Sequence, residues 1–346
     1  MRLPLSTDDS PLARQGSRND TLWAAVARGN WSLYAVYLGM AWVITRVYWQ
    51  TAVQLDAASI QRFAAGTAEA PFAYRVLMPW TIRWVSELNG TGDPVLSDVG
   101  LRVLVLFALM ALLRRWMRHF VAAPLADLSP LVVGAALLGT VGWYWPYDFA
   151  DIAFWTACLL ALVERRYLLY LAVFTVATFN RETTFFLFLI FISTQWRVLG
   201  PHRTLRLGAA QLAIFLAISS GLRLLLHPPG GELVEIHVRE NLDFLLGRNL
   251  LGAFENLMLM SAGTGYLWLL APWRWRSKSD FLRRACWALP PFALLVFVGG
   301  RLGEPRLWNA WLPVVLALSG QTLMAFSTRT SEQPSTRTDQ AALGVT

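Results

Sequence analysis

The sequence predicts an all-α, polytopic bundle of transmembrane helices, and three observations predict it. Apolar residues make up 55% of the chain, with 17 Trp among 346 residues, and the mean hydropathy is +0.43, outside the balance of a soluble domain. Apolar runs that span or nearly span a hydrocarbon core as helix recur along most of the length. Basic residues between those runs concentrate in every second loop, the mark of a fixed membrane orientation.

About ten spans are predicted, at 31–49, 98–113, 129–146, 147–163, 167–180, 183–196, 207–226, 253–273, 285–300 and 309–326. They form one transmembrane unit over 23–326. Residues 1–22 and 327–346 are rich in Ser, Thr, Asp, Gln and Arg and read as disordered cytoplasmic tails. The first apolar run starts too late and runs too long for a cleaved signal peptide, so it reads as a retained first helix.

The loop over 50–97 is the longest and holds two short candidate helices, 56–65 and 75–88. The second sets Val76, Leu77, Trp80, Ile82 and Val85 against Arg83 and Glu87, a pattern suited to lying along the membrane interface as a lid or platform. The stretch 228–249 mixes Leu and Phe with acids and arginines and offers a further interfacial helix.

Spans 147–163 and 167–180 meet at the turn Glu164-Arg165-Arg166. At 1.5 Å per residue such runs reach only roughly 21 to 25 Å of a core about 30 Å thick. Their far ends therefore lie below the lipid surface, and with them Asp148, Asp151, Asn180, Arg181 and Glu182. Ionisable groups at that depth are costly unless they line a wet cavity or pair with one another. Asp151 follows Asp148 by one turn on the same helical face, and Asp148 also suits a helix N-terminus. An Arg181–Asp148 ion pair that only clamps two helices is the purely structural alternative.

A cytoplasmic N-terminus places Arg114, Arg115, Arg118, Arg165, Arg166, Arg197, Arg203, Arg274, Arg276 and Lys278 on the cytoplasmic side with most of the 30 Lys and Arg. The same count gathers Asp56, Tyr74-Arg75, Tyr147-Asp148, Asn180-Arg181-Glu182 and Glu304-x-Arg306 at the opposite face. Arginine forks suit bidentate binding of phosphate or carboxylate, and the neighbouring Glu182 and Glu304 suit holding those forks in place. Several arginines at one mouth read as an anion site, although a single arginine at a membrane end more often reaches to headgroups. Trp49, Trp80, Trp84, Trp143, Trp145, Trp308 and Trp311 fall near that interface as an anchoring belt.

Other chemistries find little support. The net charge of +8 belongs to the cytoplasmic loops, with no basic patch interleaved with base-stacking aromatics, so no nucleic-acid partner is expected. Cys158 and Cys286 lie inside separate spans without a CxxC pattern. His119, His202, His227 and His237 are scattered without ligand spacing, so no metal site is expected. No internal repeat of the kind that marks many secondary transporters is visible.

The order of one span, a long outer loop with an acidic residue and interfacial helices, then many further spans resembles the GT-C superfamily of membrane glycosyltransferases. Phe72-Ala73-Tyr74-Arg75-Val76-Leu77, Asn180-Arg181-Glu182-Thr183 and Glu304-x-Arg306 are similar to a pattern in small bacterial members or relatives of that group. Members usually carry an acidic pair in the first outer loop, where Gln54-Leu55-Asp56-Ala57-Ala58 supplies one carboxylate. The resemblance implies transfer of a sugar from a polyprenyl-phosphate carrier to a glycan, lipid or protein acceptor hydroxyl, at the periplasmic face of a bacterial inner membrane. Asp56 is then the expected general base, with Asp148 as its rival. Arg75, Arg181 and Arg306 hold the donor phosphate, and Tyr74, Asp151, Asn180, Glu182 and Glu304 complete the substrate site. No cofactor is required, since three arginines can take a metal's part, while a divalent ion stays compatible. A transporter or flippase for a lipid-linked sugar or anionic solute, or a polysaccharide polymerase, is the alternative.

Overall fold

The computed structural model describes residues 30–55, 59–90, 92–140, 142–231, 235–247 and 249–331. Asp56 and the tails at 1–22 and 332–346 lie outside the described residues. Among these residues the protein is all-helical, with two isolated backbone bridges and no sheet. Four helical runs are long and apolar enough to cross a membrane: Pro94–Met117, Pro201–Leu225, Asp280–Gly299 and Pro305–Ser327. Leu104, Leu168, Leu224, Leu225 and Leu294 are more than 60% exposed on the outside of the bundle. Rows of bare leucine belong against lipid, and the chain is that of a membrane protein.

The helices run in chain order as α1 (Trp31–Thr51), α2 (Ile60–Ala65), α3 (Leu77–Leu88), α4 (Pro94–Met117), α5 (Ala123–Leu138), α6 (Asp148–Val163) and α7 (Tyr167–Thr178). There follow α8 (Phe185–Leu199), α9 (Pro201–Leu225), α10 (Val238–Leu246), α11 (Leu250–Ala262), α12 (Asp280–Ala285), α13 (Leu289–Gly299) and α14 (Leu312–Ser331). Local chemistry sets their ends. Ser59 caps α2, with its hydroxyl accepting from the Arg62 N–H at 3.4 Å, and Asp93 caps α4, accepting from Val95 at 2.8 Å just before Pro94 at the first helical position.

Each predicted apolar run meets a helix, but several boundaries differ. The run 129–146 is helical only as α5, which starts at Ala123 with Pro124 in its first turn and stops at Leu138. Residues 142–147 turn back instead, and Val53 pairs with this segment through Val53 N–H to Gly142 O and Tyr144 N–H to Val53 O, both at 2.8 Å. The run 253–273 ends its helix at Ala262 and turns at Gly265 and Tyr266, both at positive φ, while Gly263 lies against the Pro305 carbonyl where a Cβ would come within 1.9 Å of the oxygen. The last helix continues through Ser331 rather than giving way to a tail at 327.

The helix-forming loop between α1 and α4 matches expectation in kind, with a corrected face. Met78, Pro79, Ile82 and Ser86 are the buried side of α3, while Trp80 and Trp84 are exposed beside Arg83. The tryptophans therefore look outward, as interfacial anchors do.

The core has α4 packed between α1, α5 and α6, and α8 between α9 and α12. Trp155, Phe186, Phe292 and Trp311 join the two halves through edge-to-face and tilted ring contacts with centroids 5.0 to 6.3 Å apart. At one end, basic side chains meet acids at the loops: Arg114 with Asp127 at 2.7 Å and Arg115 with Glu164 at 2.7 Å. At the other end, the loops carrying Arg75 and Arg181 and the start of the 3-10 helix Pro305–Trp311 converge on Tyr147 and Asp148.

Candidate functional site

The convergence begins with the segment before α6. Tyr48 on α1 holds it from behind: its hydroxyl donates to the Trp143 carbonyl at 2.9 Å and accepts the Trp145 N–H at 2.5 Å. Beside it Arg102 of α4, itself paired with Asp98 at 2.8 Å, lies over the Tyr48 ring at 4.2 Å and reaches the Trp145 carbonyl at 3.5 Å. Arg102 and Asp98 are both almost wholly buried. The segment thus presents Trp145, Tyr147 and Asp148 forward from a fixed backing.

Three arginines meet that front from different parts of the chain. Arg75 follows the short 3-10 turn Phe72–Tyr74, and the Leu77 N–H bond to the Phe179 carbonyl at 3.1 Å ties the start of α3 to the end of α7. Its guanidinium donates to the Tyr147 hydroxyl at 2.6 Å and forks onto Glu182, with Nε at 3.1 Å from Oε2 and the terminal nitrogen on Oε1. Arg181 sits in the tight turn between α7 and α8, closed by the Thr184 hydroxyl donating to the Arg181 carbonyl at 2.7 Å. It donates to Asp148 at 3.3 Å and to Asp151 at 3.5 Å. Arg306, carried by the 3-10 helix Pro305–Trp311, donates to Asp148 at 3.3 Å and to Glu304 at 2.6 Å, and stacks over Trp145 at 4.4 Å.

Asp148 and Asp151 occupy the first turn of α6, where the helix dipole favours their charge. Thr183 donates to Asp151 at 3.4 Å, and the Asn180 amide donates to the Tyr147 carbonyl at 3.1 Å. The site is graded in depth. Side chains of Arg181, Asp148 and Asp151 are 5%, 7% and 3% exposed, whereas Glu182 is 45% and Glu304 22% exposed. Arg181 Nε, Arg306 Nε, Asn180 Oδ1 and Trp145 Nε1 are buried without a hydrogen-bond partner among the described residues, and groups of that kind demand a reason.

Glu182 and Arg75 set each other's charge. Burial raises the Glu182 carboxyl, but the Arg75 charge and its hydrogen bonds outweigh this and hold the group down at about 2, against an ordinary 4.5. A depressed carboxyl contributes stability that is complete above 4.5 and fades as the pH falls towards 2. Since Glu182 is 45% exposed, water screens that contribution. Burial lowers the affinity of Arg75 for its proton, and Glu182 and Tyr147 more than restore it.

Eight of the residues expected at the site, Arg75, Asp148, Asp151, Asn180, Arg181, Glu182, Glu304 and Arg306, are brought into one network. Tyr74 is half-buried on its turn and takes no part in the ion pairs. Asp56 lies outside the described residues, though Leu55 beside it packs against the cluster that contains Trp145 and Tyr147. The sequence reading missed Tyr147 as the shared acceptor and Trp145 as the face under Arg306. It also missed the Asp98–Arg102 pair, whose spacing of four inside an apolar run was the available signal. Among the described residues no group of three His, Cys, Asp or Glu is disposed to hold a metal ion.

Chemically, the network sets three guanidinium groups among four carboxylates, Asp148, Asp151, Glu182 and Glu304, at one end of the bundle, and each guanidinium keeps part of its hydrogen-bonding capacity unused among the described residues. Such an arrangement can hold an anion and stabilise negative charge that grows on it. No family model, no curated protein and no solved structure matches this chain.

Proposed function

We propose that this protein is a GT-C-like glycosyltransferase of a bacterial inner membrane, with about ten spans, both termini cytoplasmic and the site facing the periplasm. It moves a sugar from a polyprenyl-phosphate donor to an acceptor hydroxyl. The observation that carries this reading is the meeting of Arg75, Arg181 and Arg306 on Tyr147 and Asp148, across sequence separations of 72, 33 and 158 residues. Buried guanidinium groups are expensive inside a membrane bundle; the carboxylates beside them offset that cost, and the N–H groups left over on three converging forks support an anionic ligand.

In the proposed step a carboxylate takes the proton of the acceptor hydroxyl as its oxygen forms a bond to the anomeric carbon. The bond from that carbon to the phosphate oxygen breaks, the electron pair stays on the phosphate, and the arginines stabilise the charge that appears there. Asp148 accepts from two guanidinium groups, which suits it to hold arginines in place more than to collect protons. Asp56 is therefore the preferred base, and Asp148 keeps the orienting part with Glu182 and Glu304.

The second reading, transport of a lipid-linked sugar or anionic solute, has one observation in its favour. Buried polar side chains also lie deeper in the bundle, where Gln211 donates to Tyr170 at 2.5 Å and Tyr167 to Gln195 at 3.1 Å. Purified protein in lipid nanodiscs, given a panel of polyprenyl-phosphate sugars with and without acceptors, separates the two. Release of carrier phosphate should require an acceptor, disappear in Asp56→Asn with donor binding nearly intact, and need more donor in Arg181→Ala. Saturable binding without release from any donor would favour transport instead.

A further inference from the structure

Helix α10 grips the segment that leads into Arg306. One side of it carries His237, Asn241 and Phe244, spaced as neighbours along a helix face, and this side meets residues 297–303. The His237 N–H donates to the Val298 carbonyl at 2.8 Å. The Asn241 amide donates to the Phe297 and Gly300 carbonyls at 2.7 and 2.6 Å, and its oxygen accepts from the Leu302 N–H at 2.8 Å. Phe244 lies against Gly303, where a Cβ would come within 3.2 Å of the ring. Glu304 follows at once, its N–H bonded to the Arg301 carbonyl at 2.9 Å, and it accepts from Arg306 at 2.6 Å. The segment under α10 therefore sets where Glu304 and Arg306 stand.

His237 makes this grip depend on a proton. Its side chain is 8% exposed, with Nδ1 3.0 Å from Glu240 and Nε2 3.0 Å from Glu235. An imidazole donates from both nitrogens only as the cation; in the neutral ring one nitrogen is a bare acceptor, and here it would face a carboxylate. The two glutamates are exposed, so the proton can exchange with water across them. Arg301, the charged residue of 297–303, lies 3.5 Å from Glu240 and is the further charged group facing this cluster among the described residues. The opposite side of α10 is bare at Ile236, Leu242 and Leu246, so the inner row and the packing on α11 are what fix the helix in place.

We propose that His237 and Asn241 are positioning residues for Arg306: with His237 protonated, α10 clamps 297–303 and holds Arg306 towards Asp148, and loss of that proton loosens the clamp. Histidine side chains change charge between about pH 5 and 8, so the clamp is closed on the acid side and weakens as the pH rises. The clamp is a property of the fold, and its effect on a donor rests on the reading of Arg306 as a phosphate ligand.

Hydrogen exchange of the full chain in nanodiscs at about pH 5.5 and 8.5, with each rate divided by the intrinsic rate at that pH, reads the clamp without any ligand. Protection of the 297–303 amides should fall about tenfold or more between the two, the size of a lost hydrogen bond to a charged group. His237→Arg, charged throughout, should keep the protection at both, and His237→Gln, neutral throughout, should lack it at both. An equal fall in His237→Gln, or no fall in the unaltered protein, would overturn the clamp. Farnesyl phosphate titrated under the same conditions reads the consequence for the site. Its affinity, taken relative to His237→Arg so that the lipid's own ionisation cancels, should drop by about the same factor at the higher pH. A level relative affinity while protection falls would remove the positioning of Arg306. Loosening without farnesyl phosphate binding at either pH would leave the clamp standing and sink the phosphate reading, and constant protection with the lipid bound would do the reverse.

Discussion

At the scale of single residues, Asp148 shows how the site balances its charges. It is 7% exposed and accepts from Arg181 and Arg306, so one carboxylate serves two buried cations. Removing its charge without changing its shape leaves both guanidinium groups short of a partner, and breaking a buried ion pair from one side costs about 3–5 kcal/mol. Asp148→Asn should accordingly unfold at clearly lower denaturant in mixed micelles. An unchanged midpoint would mean that Asp151 and Glu304 already satisfy the two arginines. The chemically marked residues were legible in the sequence because a membrane chain spends charge sparingly, so each charged residue beside an apolar run stands out. Trp145 and Tyr147 were not legible in the same way. A belt tryptophan and one that carries a guanidinium on its face have the same hydropathy, and only the fold separates Trp84, 61% exposed, from Trp145, 2% exposed.

At the scale of elements, the site depends on a stretch that is not a helix. Residues 142–147 hang between α5 and α6, supported by Val53, Tyr48 and Arg102. Tyr48 is the simplest support to remove. Tyr48→Phe keeps the ring under Arg102 but strands the Trp145 N–H in a buried position, which costs about 1–3 kcal/mol. The variant should lose stability by that amount in the same denaturation assay and should bind the lipid donor less tightly, since Trp145 lies under Arg306. Full stability with unchanged binding would show that Arg102 and Val53 hold the segment without the Tyr48 hydroxyl. Apolar periodicity could not reveal this element, because Val141-Gly142-Trp143-Tyr144-Trp145 is as apolar as a continuing helix. The chain leaves the helix there because Tyr48 and Val53 satisfy its backbone groups in another way, and those partners lie about ninety positions earlier in the sequence. Gly263 after α11 is equally silent in the sequence: only its place against the Pro305 carbonyl shows that no side chain fits there.

At the scale of the whole molecule, the two ends of the bundle differ in how charge is used. At the end with Arg114, Arg115 and Arg118, the arginines meet Asp127 of α5 and Glu164 of the turn after α6; Arg114 is buried there at 3%, while Arg115 and Arg118 are 46% and 34% exposed. At the end with Arg75, Arg181 and Arg306, the guanidinium groups are buried at 5% to 10% side-chain exposure. The difference between the ends is that three buried guanidinium groups are gathered at one of them, while the other carries most of the loop Lys and Arg, which resist translocation. The proposed orientation rests on that distribution of basic residues and is open to direct measurement. In a chain carrying Cys158→Ala and Cys286→Ala, a single cysteine placed at Thr67 would report on the site end, and one placed at Ser277 on the other; both positions are exposed. In intact bacterial cells a membrane-impermeant maleimide should label Thr67→Cys, whereas Ser277→Cys should react only after the membrane is opened. The reverse pattern would put the arginine cluster in the cytoplasm. A periplasmic acceptor would then be out of reach, and the paired acids and arginines would need a ligand from the cytoplasmic side of the membrane.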